Sequence, residues 1–594
     1  MRILDWLEDR TGYRRIVSGM LDEPVPGGAS WAYVFGSVLT FIFVNQLVTG
    51  VLLVFYYSPS AQTAWASVAY LQDQVSMGWL IRGLHANGAS AMVIVAGVHL
   101  FQVGLYGAYK KPRELNWIVG VLMLGLILAF ALTGYLLPWD QKGYWATKVA
   151  TGIMGETPLL GDALKGLVQG GNEYGNLTIS RFFAIHTFLL PAALVALVAI
   201  HVGLFRRHGV TPRWGRSSDE LARTTAMFWP DQLVRDMIAI VVVSLALFAA
   251  TGAGHGVDLG APADPASGYD ARPEWYFLPL FQLLKYFHGA AEQIVALGAP
   301  AAIFGLLLVV PFIDRSRARS GSAERSPARR WLPLGIVAVI FGGSGVLIAV
   351  AIGSDAADKA LADRQRDAEA QGLRARKLAL LGVPPGGGTR VYENEPFFRE
   401  RRIFGERCGG CHVGKKRKGP ELVAGYGSRA WIADYLREPD AMRFFGATKA
   451  IHKMKPAKYM GADFDAVVEM VYAESGASDV KVDLAETGRK LFDDGPCSDC
   501  HSRKPGAAGD EGPNLAGRGT PAYLADFIAA PDSPQHFGEL NEMPSFKEKL
   551  TPDEIGGLAA YVASLRDVPV VAPAPPPATR SDAPSPPVAP PGAK

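Results

Sequence analysis

The chain has 594 residues, and its 59 Lys+Arg against 56 Asp+Glu leave a formal charge of only +3, which excludes an electrostatic case for nucleic acid as a partner. With 49% apolar and 19% charged residues and a mean hydropathy of +0.13, it is too apolar for an ordinary soluble protein of this length or for a disordered one. It reads as a membrane protein of several domains.

In chain order, residues 1–30 form an arm carrying Arg2, Arg10, Arg14 and Arg15. Seven apolar runs follow, near 31–57, 84–106, 116–137, 183–205, 233–253, 291–313 and 331–353. Each approaches or exceeds the roughly 20 residues that cross a hydrocarbon core as a helix. Positive charge gathers in alternate connections: Lys110, Lys111 and Arg113; Arg206, Arg207, Arg213, Arg216 and Arg223; and the run from Arg315 to Arg330. Cytoplasmic segments collect such charge, so the N-terminus is expected inside a bacterial inner membrane and everything after residue 353 on the periplasmic side. The charged arm and full-length first run call for no cleavable leader. Residues 31–215 are expected to form a four-helix bundle and 216–353 a three-helix part. Residues 354–390, charged and then Pro/Gly-rich, read as a helical extension and linker; 391–480 and 481–567 read as two small helical domains, and 568–594 as a Pro/Ala-rich disordered tail.

His85 and His99 lie 14 residues apart on the second span, and His186 and His201 lie 15 apart on the fourth. Ionisable groups at such depth are functional by default. At about 1.5 Å per residue the pairs are separated by roughly 21 and 22 Å, and at about 100° per residue each pair stays near one helix face. Two helices so equipped can clamp two stacked haems, His85 with His186 and His99 with His201. Gly36 and Gly50 on the first span, and Gly120 and Gly134 on the third, repeat the 14-residue spacing. A haem edge packed against a helix wants no side chain there, although small residues also serve ordinary helix packing in membranes.

The strings RGLHANGAS (82–90), GYLLPWDQKGYWATKVATG (134–152), RFFAIHTFLLP (181–191) and PEWYFLPLFQLL (273–284) make residues 1–353 resemble cytochrome b of the quinol-oxidising cytochrome bc complexes. The 15-residue histidine spacing and the PWDQKGYWA string are similar to the cytochrome b6 plus subunit IV arrangement, whereas Arg235-Asp236 resembles the inner quinone site of mitochondrial-type proteins. The resemblance implies two non-covalent b haems on the four histidines, with Arg82 among the cofactor-binding residues. It implies a quinol-oxidation site at Pro273, Glu274, Trp275 and Tyr276, where Glu274 accepts a proton and Tyr276 is a hydrogen-bonding partner. Gly143 to Thr147 should form the opposite wall. Ala146 stands where strobilurin-sensitive proteins have glycine. An inner quinone site is expected around Arg206, His208, Arg235 and Asp236. Cytochrome b6 carries a cysteine near position 34 for a third, covalently held haem; Val34 here removes that expectation.

The four cysteines, Cys408, Cys411, Cys497 and Cys500, all lie in Cys-x-x-Cys-His strings, leaving none for a disulfide framework or a cysteine-ligated iron–sulfur cluster. These strings are c-type haem attachment motifs, with His412 and His501 as axial ligands. The two halves repeat: GPELVAGYGSRAWIADYLREPDAMRFFG (419–446) parallels GPNLAGRGTPAYLADFIAAPDSPQHFG (512–538). Met454 and Met543 each fall 42 residues after the preceding motif histidine, and that equality selects them as sixth ligands, with Met460 a competitor at the first haem. His/Met ligation suits a high-potential carrier. Lys415, Lys416, Arg417 and Lys418 read as a solvated loop.

The expected fold is thus all-α: a seven-span haem-binding bundle followed by two tandem class I-like cytochrome c domains. By resemblance the chain would be one subunit of a quinol:cytochrome c oxidoreductase, coupled to proton translocation. The implied partners are a separate Rieske iron–sulfur protein, quinone, a cytochrome c-type acceptor, membrane lipid and a second copy in a homodimer. A haem b anchor of a dehydrogenase and a dihaem delivery subunit of a terminal oxidase are the alternatives.

Overall fold

The computed structural model describes residues 3–171, 173–212, 217–314, 331–414, 417–448, 454–508 and 511–569. Arg213, Arg216, the run from Arg315 to Arg330, Lys415, Lys416 and the tail beyond 569 lie outside the described residues. In hydrocarbon every backbone N–H and C=O must be satisfied within the segment, and long apolar runs therefore become helices. Among the described residues seven helices are long and apolar enough to cross a membrane. They are α1 (Phe35–Val54), α2 (Gly78–Tyr106), α3 (Glu114–Leu136), α5 (Asn176–His208), α6 (Phe228–Ala253), α7 (Ala290–Ile313) and α8 (Gly335–Ala357). A shorter helix, α4 (Gln141–Gly155), follows α3; Asp140 caps its start by accepting from the Gly143 amide at 2.8 Å. Strand structure among the described residues is confined to Pro24–Val25 paired antiparallel with Ala226–Met227.

Val38, Ile42 and Met92 form an apolar seam among α1, α2 and α6. Trp117 joins α3 to α7, its indole N–H donating to the Leu307 carbonyl at 2.6 Å. A larger core of Trp65, Leu136, Trp139, Tyr144, Ile179, Phe182 and Leu259 closes one end of the bundle.

The expected extension and linker at 354–390 belong to that core instead. Helix α9 (Lys359–Ala379) buries Ala375 and Ala379 in it, together with Val391. Arg376 Nε donates to Asp73 at 2.9 Å. The membrane unit consequently runs to Asn394, and a second compact unit begins at Glu395.

The second unit contains α10 (Phe398–Arg407), α11 (Arg429–Arg437), α12 (Gly461–Glu474), α13 (Val482–Asp493), α14 (Pro521–Ala529) and α15 (Pro552–Ser564). The repeat seen in the sequence is structural: Ser428 and Thr520 cap α11 and α14 alike, accepting from the Trp431 and Tyr523 amides at 3.2 Å. The halves are nonetheless interlaced. Residues of α10, from the first half, share a core with α14 and α15 from the second: Ile403, Phe404, Leu524, Ile528, Leu558 and Val562. The last helix of the first half, α12, packs against the first helix of the second, α13, and Gly488 approaches the Ala466 carbonyl too closely for any side chain.

Candidate functional site

The four histidines come together as the spacing predicts. His85 and His186 face each other with ring centroids 6.2 Å apart and planes at 69°. That gap accommodates one metal between two imidazoles at about 2 Å per metal–nitrogen bond. His99 and His201 form the second pair, within electrostatic reach of each other. The 15-residue spacing on α5 has a local explanation: Ile185–Leu189 forms a single wide turn with π-type hydrogen bonding, and this turn absorbs the additional residue. Such turns recur at functional sites.

Each repeated glycine faces one histidine ring. A Cβ would lie 3.9 Å from His99 Cε1 at Gly36, 3.3 Å from His85 Cε1 at Gly50, 3.5 Å from His201 Cε1 at Gly120 and 2.7 Å from His186 Cε1 at Gly134. The spacing of the glycines thus mirrors that of the histidines because each supplies room for an imidazole. Adjacent threonines orient two of the rings, a role the sequence reading missed although Thr49 and Thr133 directly precede Gly50 and Gly134. Thr49 Oγ1 lies 3.0 Å from His85 Nδ1 and donates to the Asn45 carbonyl at 2.6 Å. Thr133 Oγ1 lies 3.0 Å from His186 Nδ1 and donates to the Ala129 carbonyl at 2.8 Å. With each hydroxyl proton committed to the backbone, Nδ1–H donates to the threonine and Nε2 is left for a metal. His201 Nδ1 has the Asn116 carbonyl at 3.1 Å, while His99 Nδ1 is buried without a partner among the described residues. Arg82 is buried, with its donors on Gln72 (2.9 Å) and the Val257 and Asp258 carbonyls (2.6 and 2.9 Å), so it fastens the connection after α6.

At the His85–His186 end, Glu274 Oε1 accepts from Lys142 Nζ at 2.9 Å. Lys142 lies in the first turn of α4, which also carries Gly143, Ala146 and Thr147, so this segment is brought beside the Pro273–Tyr276 loop as expected. No sequence pattern singles out Lys142. A Cβ at Gly143 would lie 2.3 Å from the Tyr135 carbonyl, which fixes glycine there. Trp275 and Tyr276 pack edge to face at 5.3 Å, and burial pushes the Tyr276 phenol up.

At the His99–His201 end, Asp236 is 2% exposed and accepts from Ser37 Oγ at 2.7 Å and Gln232 Nε2 at 2.8 Å. Arg206 pairs with Glu23. The His208 carbonyl accepts from Arg113 at 2.6 Å. Arg235 departs from the expected cluster: its guanidinium turns back to the Asp231 carbonyl at 2.6 Å, because the next residue along a helix points about 100° away.

In the second unit His412 Nδ1 and His501 Nδ1 each lie 2.8 Å from a proline carbonyl, Pro420 and Pro513. The preceding glycines make room for the rings: a Cβ at Gly419 or Gly512 would lie 3.0 or 2.5 Å from the respective Cε1. Burial holds both imidazoles below their ordinary range. The methionines fall otherwise than equal spacing suggests. Met454 lines a cavity of about 790 Å³ with Cys497, Cys500 and His501. Met543 packs in the core that holds Cys408. Interlacing crosses the halves, so each motif faces the methionine of the other. Met460 is 85% exposed.

A family model described as Cytochrome b/b6/petB matches residues 20–209, and one described as Cytochrome b(C-terminal)/b6/petD matches 262–352. One described as Cytochrome C oxidase, cbb3-type, subunit III matches 483–562. The chain is 35% identical over 354 residues to cytochrome b of Rhodobacter capsulatus, covering 55% of this chain and 80% of that protein. It is 39% identical over 210 residues to cytochrome b6 of Synechococcus elongatus, covering 35% of this chain and 98% of that protein. Among solved structures it is similar to a chain of a "Hyperthermophilic respiratory Complex III", at 27% identity and TM-score 0.48, covering 59% of this chain and 99% of that one.

Proposed function

The chain belongs to the cytochrome b family and carries a fused cytochrome c-like region, and we propose that it is the catalytic subunit of a quinol:cytochrome c oxidoreductase. The observation that carries this reading is a carboxylate at each end of a bundle whose histidines pair at two depths: Glu274, held by Lys142, at the His85–His186 end, and Asp236, held by Ser37, at the His99–His201 end. One quinone site at each end makes use of both.

Haem, held by His85 and His186, by His99 and His201, and by the two Cys-x-x-Cys-His motifs, supplies one-electron transfer when bound. The chain's own residues handle protons and position. At the Glu274 end a quinol that loses two electrons must shed two protons, and the Glu274 carboxylate can take one and pass it to water. Lys142 holds that carboxylate at the site mouth, and the α4 segment from Gly143 to Thr147 forms the facing wall. At the Asp236 end Ser37 and Gln232 orient a buried carboxylate that can return a proton to quinone as it is reduced. Uptake at one end and release at the other move protons across the membrane, with the N-terminus and Asp236 on the cytoplasmic side and residues after 394 outside.

All four cysteines serve c-type motifs and leave none for iron–sulfur ligation, so the Rieske protein is a separate partner and turnover requires it. A homodimer and a cytochrome c-type acceptor complete the proposed assembly. The test is quinol-driven reduction of the haems in the purified complex with its Rieske partner. The expected result is c haem reduction accompanied by b haem reduction that accumulates when an inner-site antagonist is present. An antagonist without effect, or c haem reduction with no b haem response, overturns the reading in favour of an electron-delivery subunit.

A further inference from the structure

The connection that leads from α6 to Glu274 is fastened along two edges. One edge is the string Trp139–Lys142. The Ala263 amide donates to the Trp139 carbonyl at 3.0 Å, and the Gln141 amide to the Ala261 carbonyl at 2.9 Å. Buried Asp140 accepts from the Gly260 amide at 3.0 Å, and Ser267 Oγ donates to Gln141 Oε1 at 3.0 Å. Lys142 meets Glu274. The other edge comes from the end of the last span and from α9. A Cβ at Gly372 of α9 would lie 2.9 Å from the Leu259 carbonyl, so the helix is pressed directly against the connection. Arg364 pairs with Asp270 at 3.0 Å, and Arg272 donates to Asp355, in the last turn of α8, at 2.8 Å.

Arg272 is the tether nearest to Glu274 in the chain, with Pro273 alone between them. Proline fixes its own φ and confines the residue before it to extended backbone, so a displacement of Arg272 is transmitted to Glu274 through a stiff joint. The Arg272 guanidinium also lies 5.1 Å over the Phe281 ring, in the helix Leu278–Leu284 that follows the loop, and so touches the chain on both sides of Pro273–Tyr276. We propose that the Arg272–Asp355 pair is a latch that sets the position of Glu274, with Arg272 a positioning residue for proton acceptance. The proposal deepens the reading of Glu274 as the acceptor at the quinol-oxidation site and rests on it. Lys142, 45% exposed, holds only the tip of the Glu274 side chain, whereas the latch holds the backbone from which that side chain extends. A half-exposed ion pair adds little to global stability, so what this pair supplies is placement.

The experiment follows quinol-driven b haem reduction in the purified complex with its Rieske partner, an inner-site antagonist being present, for Arg272→Gln, Asp355→Asn, the two combined, and Arg272→Lys. Displacing a reacting group by about 1 Å costs up to about a hundredfold in rate, so each single variant should slow reduction roughly ten- to a hundredfold with haem content unchanged. The combination should be no slower than either single variant, because the two residues act as one unit. Arg272→Lys, which keeps the charge, should retain most of the rate. Reoxidation of b haem by quinone at the Asp236 end, without the antagonist, should be unchanged in all four. The single variants lie on different elements, so one carries the test should the other not assemble. Unchanged reduction with the pair removed, additive losses in the combination, or equal slowing at both ends of the bundle overturns the latch. An unsubstituted complex in which quinol reduces no haem overturns the reading of the oxidation site, and the latch with it.

Discussion

Replacing each of the four histidine-facing glycines by alanine adds the same methyl group at places that differ in available room. Within a helix the change by itself stabilises by about 0.5–1 kcal/mol. Overpacking a filled site costs about 1–3 kcal/mol. At Gly36 the new Cβ would sit 3.9 Å from His99 Cε1, an ordinary contact, so Gly36→Ala should be neutral or slightly stabilising. At Gly134 it would sit 2.7 Å from His186 Cε1 and 3.3 Å from both ring nitrogens, so the imidazole must move away from the Thr133 hydroxyl that lies 3.0 Å from Nδ1. The difference of the two effects leaves Gly134→Ala destabilised by up to roughly 2.5 kcal/mol. Gly50→Ala and Gly120→Ala, with contacts of 3.3 and 3.5 Å, should fall between. Haem b retained per purified polypeptide, followed through a thermal ramp, reads the series. Loss in the order Gly134, Gly50, Gly120, Gly36 supports the assignment; equal losses, or Gly36→Ala as the worst of the four, refute the claim that each glycine makes room for its imidazole.

In a chain lacking the first attachment motif through Cys408→Ala and Cys411→Ala, Met454→Leu should abolish the methionine–iron charge-transfer absorbance of the remaining haem and Met543→Leu should leave it; the reverse outcome restores the pairing by equal spacing. Glu469 receives Arg429 Nε and Nη2 at 2.7 and 2.8 Å and the Lys481 amide at 2.7 Å, and chiefly the Arg429 bonds hold its carboxyl below the ordinary range. Its stabilising contribution is therefore present above the unfolded value near pH ~4.3 and lost as pH falls through the lower folded value. Glu469→Gln should lose about 1–3 kcal/mol at neutral pH by denaturant titration, with the gap to the unsubstituted chain closing on acidification and not widening. Ala146 at the proposed oxidation site should give weak strobilurin inhibition, strengthened by Ala146→Gly; submicromolar inhibition of the unsubstituted enzyme contradicts this.

Much of the membrane unit was legible because its chemistry is periodic. Spans of sufficient length, histidines a fixed number of turns apart and glycines in step with them leave few arrangements. What escaped the sequence is instructive. Exchanging the C-terminal halves of two similar repeats changes no spacing inside either, so the equal 42-residue intervals to Met454 and Met543 carry no information about which motif each methionine meets. Helix α9 read as an extension because it buries small residues, Ala375 and Ala379, on an otherwise charged surface and shows no large apolar stripe. Lys142 and Glu274 are 132 positions apart, and no local pattern announces an ion pair of that kind. By contrast, Thr49 and Thr133 were within reach of sequence reasoning, since each directly precedes a glycine of the repeating set.

Haem b and haem c per purified polypeptide, measured together by the pyridine haemochrome method, test the central claim most directly. The four paired histidines and the two Cys-x-x-Cys-His motifs predict two of each. Fewer than two b haems, or a third covalent haem, contradicts the account.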